Sequence, residues 1–296
     1  MTQDLIVLKD PKSPISEIFR TIRTNIQFMD AKQEAKLILI TSAYAEEGKS
    51  WISSNLAVAF AQAGKRVLLI DADMRKGRQS NIFKVSQKPG LSNYLSNVDD
   101  DGNRIINKDI TSYIQKTSVK NLYLIASGSV PPNPSELLIL PQMTELLDIA
   151  KEVCDIVIID GTPSQLVTDS LILSRIVDFT LIVTAHEETK KEGLKRIITN
   201  IENVGGKILG VILNKMPMES REYEQAYYYN SKDKQDKTKY VPKRTAAMPS
   251  TFLDKESDDL FKNISVKKTK NSSKEISEDT YKVLKQINEF FNEDKK

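Results

Sequence analysis

The sequence predicts an α/β fold, a mostly parallel sheet with helices on both faces. Short apolar runs at 37–41, 66–70, 122–125, 155–160, 179–184 and 208–213 alternate with stretches of helical spacing, the pattern of parallel strands joined by crossover helices. These runs are apolar throughout rather than on alternate residues, as strands buried on both faces require. Several end in Lys, Ser or Asp at the carboxyl side, where open α/β sheets bind ligands.

At the amino end, Ser13 and Pro14 suit a helix start, and Ile15, Ile18, Phe19, Ile22 and Ile26 recur at helical spacing, which predicts an apolar face packed on the sheet domain. Glu17, Arg20 and Arg23 step along the same helix three residues apart. Two readings of them stay open: an edge that pairs with a neighbouring subunit, or a solvated face with one local ion pair.

The first strand, Leu37 to Ile40, leads into Ala43-Tyr44-Ala45-Glu46-Glu47-Gly48-Lys49-Ser50 and then a helical run from Trp51 to Ala63 that stops at Gly64, a residue suited to a left-handed cap. This is the G-x-x-x-x-G-K-[ST] phosphate loop with Ala43 in place of its first glycine. Glu47, Gly48, Lys49, Ser50 and Trp51 make up the nucleotide-binding turn. Lys49 is placed to reach the β- and γ-phosphates and the Ser50 hydroxyl to ligate Mg²⁺. The Trp51 ring is expected to pack against the sheet. An acidic Glu46 beside triphosphate costs about 1 kcal/mol in a water-like dielectric.

The second strand delivers Asp71 and Asp73, two carboxylates at i and i+2 that point the same way from an extended segment. The segment 78–121, rich in Asn, Ser and Asp, predicts short helices and loops. The strand at 155–160 ends in Asp160 before Gly161-Thr162-Pro163, an apolar strand with a terminal carboxylate placed to hold Mg²⁺ through water. Three strand ends carrying Lys49 and Ser50, then Asp71 and Asp73, then Asp160 make a P-loop NTPase.

Beyond the phosphate loop, the chain carries Ser13-Pro14-Ile15-Ser16-Glu17, Ile70-Asp71-Ala72-Asp73-Met74-Arg75, Gly90-Leu91-Ser92, Pro131-Pro132-Asn133-Pro134-Ser135-Glu136-Leu137-Leu138, Val167-Thr168-Asp169 and Gly210-Val211-Ile212-Leu213-Asn214-Lys215. From about residue 8 to 229 it resembles the bacterial tyrosine kinases of capsule and exopolysaccharide synthesis. The resemblance implies Mg-ATP-dependent transfer of the γ-phosphoryl group to tyrosine. Lys49 then stabilises developing charge, Asp71 accepts the proton, Asp73 with Ser50 and Asp160 serves the metal, and Asn214 lies on the adenine side. It further implies ring-shaped homo-oligomers supported by Glu17, Arg20 and Arg23, a separate transmembrane activator of the chain-length-determinant type, and a cognate phosphotyrosine phosphatase. Partitioning ATPases of the same superfamily carry a second lysine where Tyr44 stands, so their ATP-sandwich dimer is disfavoured here. The chain departs from the family pattern at Ala45-Glu46, where Pro-Gly is common, at Thr162 and at Thr184.

After Lys215 the composition changes. Tyr223, Tyr227, Tyr228 and Tyr229 stand among polar residues with no apolar partners, which predicts a mobile segment and matches the family's autophosphorylation tail. The chain thus divides into an N-terminal oligomerisation helix segment at 1–35, a kinase domain at 36–216, a tyrosine-rich tail at 217–240, and a linker with a C-terminal helix at 241–296. That helix, with Tyr281, Val283, Leu284, Ile287, Phe290 and Phe291 available for an apolar stripe, docks either on the domain or on a partner.

Lys and Arg number 43 against 40 Asp and Glu, a net charge of +3 that gives no global nucleic-acid signal. The single cysteine, Cys154, excludes an internal disulfide and fits a reducing compartment. The single histidine, His186, makes a His-based metal site improbable and is placed at the surface. No apolar run reaches membrane-spanning length, and Met1-Thr2-Gln3-Asp4 lacks a signal-peptide start. A cytoplasmic location is expected, with membrane association borrowed from the activator. Two other functions stay open, a regulatory ATPase without kinase activity and an ATP-binding pseudokinase scaffold.

Overall fold

The computed structural model describes residues 5–29, 36–97, 110–217, 285–286 and 289–291. All of these fall within one of two units, 1–231 with 278–296; the other unit, 232–277, lies outside the described residues. In chain order the elements are α1 (Ile6–Lys9), α2 (Pro14–Met29), β1 (Leu37–Ser42), α3 (Lys49–Gln62), β2 (Val67–Asp71), α4 (Gln79–Phe83), α5 (Leu91–Ser96), a 3-10 turn (Ile110–Tyr113), β3 (Gln115–Lys116), β4 (Leu122–Ile125), α6 (Pro134–Ile139), α7 (Pro141–Val153), β5 (Ile156–Pro163), α8 (Asp169–Ile176), β6 (Phe179–Ala185), α9 (Lys191–Asn203) and β7 (Ile208–Asn214).

The strands form one sheet in the order β3-β4-β2-β5-β1-β6-β7. Every pair is parallel except β3 with β4. Sequence reading placed six of the strands and missed β3, because two polar residues on an edge carry neither periodicity nor an apolar signal. Strands β1, β2 and β4 are buried at every position. Alternate residues feed opposite faces, as the pleat demands. Leu37, Leu39, Leu68, Ile70, Val157 and Ile159 join the core under α7, whereas Ile38, Ile40, Val67, Leu69, Ile156 and Ile158 join the core under α3.

Helix α3 is buried almost all round because α1 and α2 cover the face that the sheet does not. Three hydrogen bonds knit the layers, from Val7 N to Asn55 Oδ1 at 3.1 Å, Gln62 Nε2 to the Val7 carbonyl at 3.1 Å and Arg23 Nη1 to the Ala59 carbonyl at 3.0 Å. The Ser13 hydroxyl accepts from Ser16 N at 3.1 Å at the start of α2. Phe19 and Ile26 are buried, but Ile18 is 48% exposed and so lies off the apolar face on which the sequence placed it. Gly64 ends α3 in the left-handed region, φ 81°.

The C-terminal aromatic residues dock on the domain itself. Phe291 is buried among the residues under α7, and its ring lies 4.2 Å from that of Tyr123 on β4. The Arg66 guanidinium sits over Phe291 and the Lys116 ammonium over Phe290, at 5.3 and 5.1 Å.

Candidate nucleotide-phosphate site

Strands β2, β5 and β1 are neighbours, so the carboxyl ends that carry the motifs converge at one rim. Asp160 is in register with Asp71 on one side and Ile40 on the other. The loop after β1 then turns back over this rim into α3.

The loop's conformation depends on two left-handed residues, Glu46 at φ 67° and Gly48 at φ 97°. At Gly48 any side chain is excluded twice over, because a Cβ would also lie 2.1 Å from Asn214 Nδ2. That amide donates to the Glu47 carbonyl at 2.9 Å and ties the end of β7 to the loop. Asn214 thus supports the phosphate loop. The Glu47 carboxylate, also buried, accepts from Tyr44 N at 2.8 Å and from the Thr189 hydroxyl. Its side chain closes the loop on itself and on the segment after β6, which leaves only its main chain free to face a phosphate.

Tyr44 turns toward α9, where a Cβ at Gly193 would stand 2.6 Å from its hydroxyl. At this position it packs within its own chain. Trp51 packs edge-on against Phe19 of α2, ring centroids 5.2 Å apart. The sequence had set it against the sheet; the contact comes instead from α2, which covers the face of α3 turned away from the sheet.

At the centre Lys49 Nζ donates to Asp73 Oδ2 at 3.2 Å. Both side chains are nearly buried, 13% and 7% exposed. Burial alone pushes the Lys49 ammonium down, and the carboxylates of Asp160, Asp73 and Asp71 more than offset it, holding the group above its ordinary value. Asp71 and Asp160 are fully buried. Burial, then the charge of Asp160, pushes the Asp71 carboxyl up to about 8, while the Gln79 N–H bond pulls the other way. Asp160 is likewise raised by burial, opposed by Lys49 and by hydrogen bonds from Gln79 and Ser50.

The partners of these acids went unnoticed in the sequence. Gln79, fully buried at the start of α4, donates from Nε2 to Asp160 Oδ2 at 2.7 Å and from its main chain to Asp71 Oδ2 at 2.9 Å. The Ser53 hydroxyl lies 3.3 Å from Asp160 Oδ1. A polar residue eight positions after Asp71, outside any motif, left no signal except its place after a strand-end acid. Arg75 holds the buried Asp169 through Nε at 3.0 Å and Nη2 at 3.3 Å, and Ser135 donates to the same carboxylate. Three of the sequence motifs therefore meet on Asp169.

The donor set suits a hard divalent cation. The groups able to ligate a cation, the Ser50 hydroxyl and the carboxylates of Asp71, Asp73 and Asp160, are all oxygen donors gathered at one rim. Among the described residues no three acidic, His or Cys side chains form a cation cage by themselves. Mg²⁺ is commonly held by one or two carboxylates and the phosphates it accompanies.

The other predicted residues divide. Glu17 and Arg20 pair with each other on α2, and Arg20 Nη2 also donates to the Pro11 carbonyl at 2.6 Å. Arg23 turns inward to α3 rather than continuing that edge. Tyr223, Tyr227, Tyr228 and Tyr229 lie outside the described residues. Cys154 is buried and its thiol is pushed up to about 12 by burial, so it carries no reactive thiolate. His186 is half-buried, and its main-chain N–H donates to the Asn214 carbonyl at 2.9 Å.

A parallel sheet with Gly48-Lys49-Ser50 at one strand end and Asp71, Asp73 and Asp160 at its neighbours defines a P-loop nucleotide-binding protein. A family model described as an AAA domain matches residues 35–212. The putative tyrosine-protein kinase CapB of Staphylococcus aureus is 40% identical over 232 residues, 77% of this chain and 96% of that protein. Tyrosine-protein kinase YwqD of Bacillus subtilis strain 168 is 36% identical over 79% of this chain and 94% of its own length. Among solved structures, the crystal structure of the chimerical protein CapA2B2 aligns with a TM-score of 0.67 at 39% identity, covering 74% of this chain and 92% of that one. The chain belongs to the bacterial tyrosine-protein kinase family. Among the described residues no helix is long and apolar enough to cross a membrane.

Proposed function

We propose that this protein is a Mg-ATP-dependent protein-tyrosine kinase that phosphorylates its own tyrosine cluster and regulates capsular or exopolysaccharide synthesis. The observation that carries the reading is the in-register pair Asp71 and Asp160 beside Lys49, a base and a metal-side acid at one rim. A bound Mg²⁺ would neutralise β- and γ-phosphate charge, held by the Ser50 hydroxyl with Asp160 and Asp73. The main chain of Glu47, Gly48 and Trp51 lines the phosphates. Lys49, kept in the site by Asp73, supplies positive charge to the phosphoryl group in flight. Asp71 takes the phenolic proton as the tyrosine oxygen bonds to the γ-phosphorus and the bond to the β-phosphate oxygen breaks, leaving ADP. A carboxyl raised toward 8 holds its proton more tightly than an ordinary acid and is the stronger base once ionised.

Tyr223, Tyr227, Tyr228 and Tyr229 are the proposed acceptors, presented by a neighbouring subunit of a ring. Glu17 and Arg20 remain on the surface of α2 to serve such a contact, whereas Arg23 acts inside the chain. A transmembrane activator, a cognate phosphatase and a peripheral position at the cytoplasmic membrane face complete the reading, all three on the family resemblance.

The test is phosphotyrosine detection and mass mapping after Mg-ATP incubation with the activator's cytoplasmic end, alongside Lys49→Met. Label on the four tyrosines that vanishes in the variant supports a kinase. Phosphate release without phosphotyrosine supports a regulatory ATPase, and absent thermal stabilisation by Mg-ATP supports a scaffold.

A further inference from the structure

Both amide N–H groups of the Gln79 side chain and its Oε1 are bonded inside the site. Besides its bonds to Asp160 and Asp71, its Nε2 donates to the Ser50 carbonyl at 3.1 Å, and its Oε1 accepts from the Ser54 hydroxyl at 2.7 Å. A fully buried amide is tolerable only when so satisfied. Its orientation is also determined. Flipped, Oε1 would face the Asp160 carboxylate and the Ser50 carbonyl, three acceptors together.

One side chain therefore couples the first turn of α3, which carries Ser50, to the end of β5, which carries Asp160. Its main chain couples both to Asp71 at the end of β2. These are the groups that the cation and the transferred phosphoryl require; the Ser50 and Ser53 hydroxyls also reach Asp160 from α3, and Gln79 adds the end of β2 to them through Asp71.

We propose that Gln79 is the positioning residue of the cation half of the site: its amide orients the Asp160 carboxylate and the Ser50 turn together, and so sets how strongly Mg²⁺ tightens nucleotide binding. This rests on the Mg-nucleotide reading above. Gln79 touches neither phosphate nor phenol in this account and acts only through Asp160 and Ser50. Outer partners of metal ligands typically govern affinity by about 10- to 100-fold.

The experiment measures ADP affinity of the full chain calorimetrically, with excess Mg²⁺ and with EDTA, for the wild type, Gln79→Leu and Ser54→Ala. Leucine keeps the bulk of glutamine and removes its hydrogen bonds. Ser54→Ala leaves Gln79 in place and removes the donor to its Oε1, together with the Ser54 hydroxyl's bond to the Ser50 carbonyl at 2.6 Å. In the wild type Mg²⁺ is expected to tighten ADP binding. Gln79→Leu should keep its EDTA affinity within about twofold and lose about tenfold or more of the Mg²⁺ enhancement. Ser54→Ala should lose a smaller part in the same direction.

Full retention of the enhancement in Gln79→Leu overturns the proposal. So does an equal loss with and without Mg²⁺, which is what a merely structural role would give. If Gln79→Leu does not fold, Ser54→Ala decides, and an enhancement equal to that of the wild type overturns the proposal. A wild type that binds ADP equally with and without Mg²⁺ overturns the cation reading beneath it, an outcome separable from the others.

Discussion

Glu46 combines two burdens that substitution can separate. It is an exposed L-residue held at φ 67°, and it adds a negative charge to a loop built for phosphate. The left-handed conformation costs an L-residue roughly 1 kcal/mol or more, and glycine, which adopts it freely, gives back about 0.5–1 kcal/mol in unfolded-chain entropy. Glu46→Gly should therefore leave the melting temperature within a few degrees of wild type, since 1 kcal/mol moves it by about 2–4 °C at this size. The charge acts on binding. Two unit charges about 4 Å apart in water interact by ~1 kcal/mol, which corresponds to roughly fivefold in affinity. Glu46→Gln keeps the strain and removes the charge, so its melting temperature should stay level while Mg-ADP binding tightens about fivefold at low ionic strength. The gain should shrink toward 0.5 M salt as the screening length falls. Calorimetric titration of wild type, Glu46→Gln and Glu46→Gly at two salt concentrations reads both effects. Unchanged affinity in Glu46→Gln at low salt would refute the electrostatic argument, and a large stability loss in Glu46→Gly would refute the account of the backbone.

Gly48→Ala combines a φ of 97° with a Cβ 2.1 Å from Asn214 Nδ2, so it should abolish nucleotide binding and lower the melting temperature by several degrees. Adding Asn214→Ala should restore only the part due to the clash, as a melting series will show. For Asp71, a folded-state pKa near 8 against an unfolded 3.8 means the native state keeps a proton that the unfolded chain releases between those values. Metal-free stability therefore falls as pH rises through that window. Asp71→Asn removes this loss, and its melting-temperature gain over wild type should be larger at pH 8.5 than at pH 5, while tyrosine phosphorylation disappears. Phe291→Ala should cost up to about 3 kcal/mol from a buried aromatic ring and speed hydrogen exchange in β4, measurable by denaturant melts and exchange mass spectrometry.

The sequence alone determined the α/β class, because a strand buried on both faces must be largely apolar and such runs alternate here with helical stretches, the pattern of a parallel sheet under helices. It also determined where the chemistry lies, since Asp71 and Asp160 directly follow apolar runs, Asp73 stands two residues further on, and Lys49 and Ser50 close the loop after the first run, all of which are local properties. Their convergence depended on the strand order, which places β5 between β1 and β2 although it comes after both in the chain.

What only the tertiary structure decided is the set of long-range partners. Gln79 reaches Asp160 across 81 positions, Asn214 reaches Glu47 across 167, and Arg23 turns to Ala59 instead of continuing the charged edge of its helix. Phe291 lies on Tyr123, 168 positions earlier, so the end of the C-terminal stripe packs on the domain, while Tyr281, Val283, Leu284 and Ile287 lie outside the described residues. Periodicity records which face of an element is apolar, but it holds no information about which polar group stands opposite once the layers pack. Motif spacing reaches only along the chain, so the amide that joins two strand ends has no footprint in it. Close packing and the cost of an unsatisfied buried polar group select those partners, and both act only in the folded state.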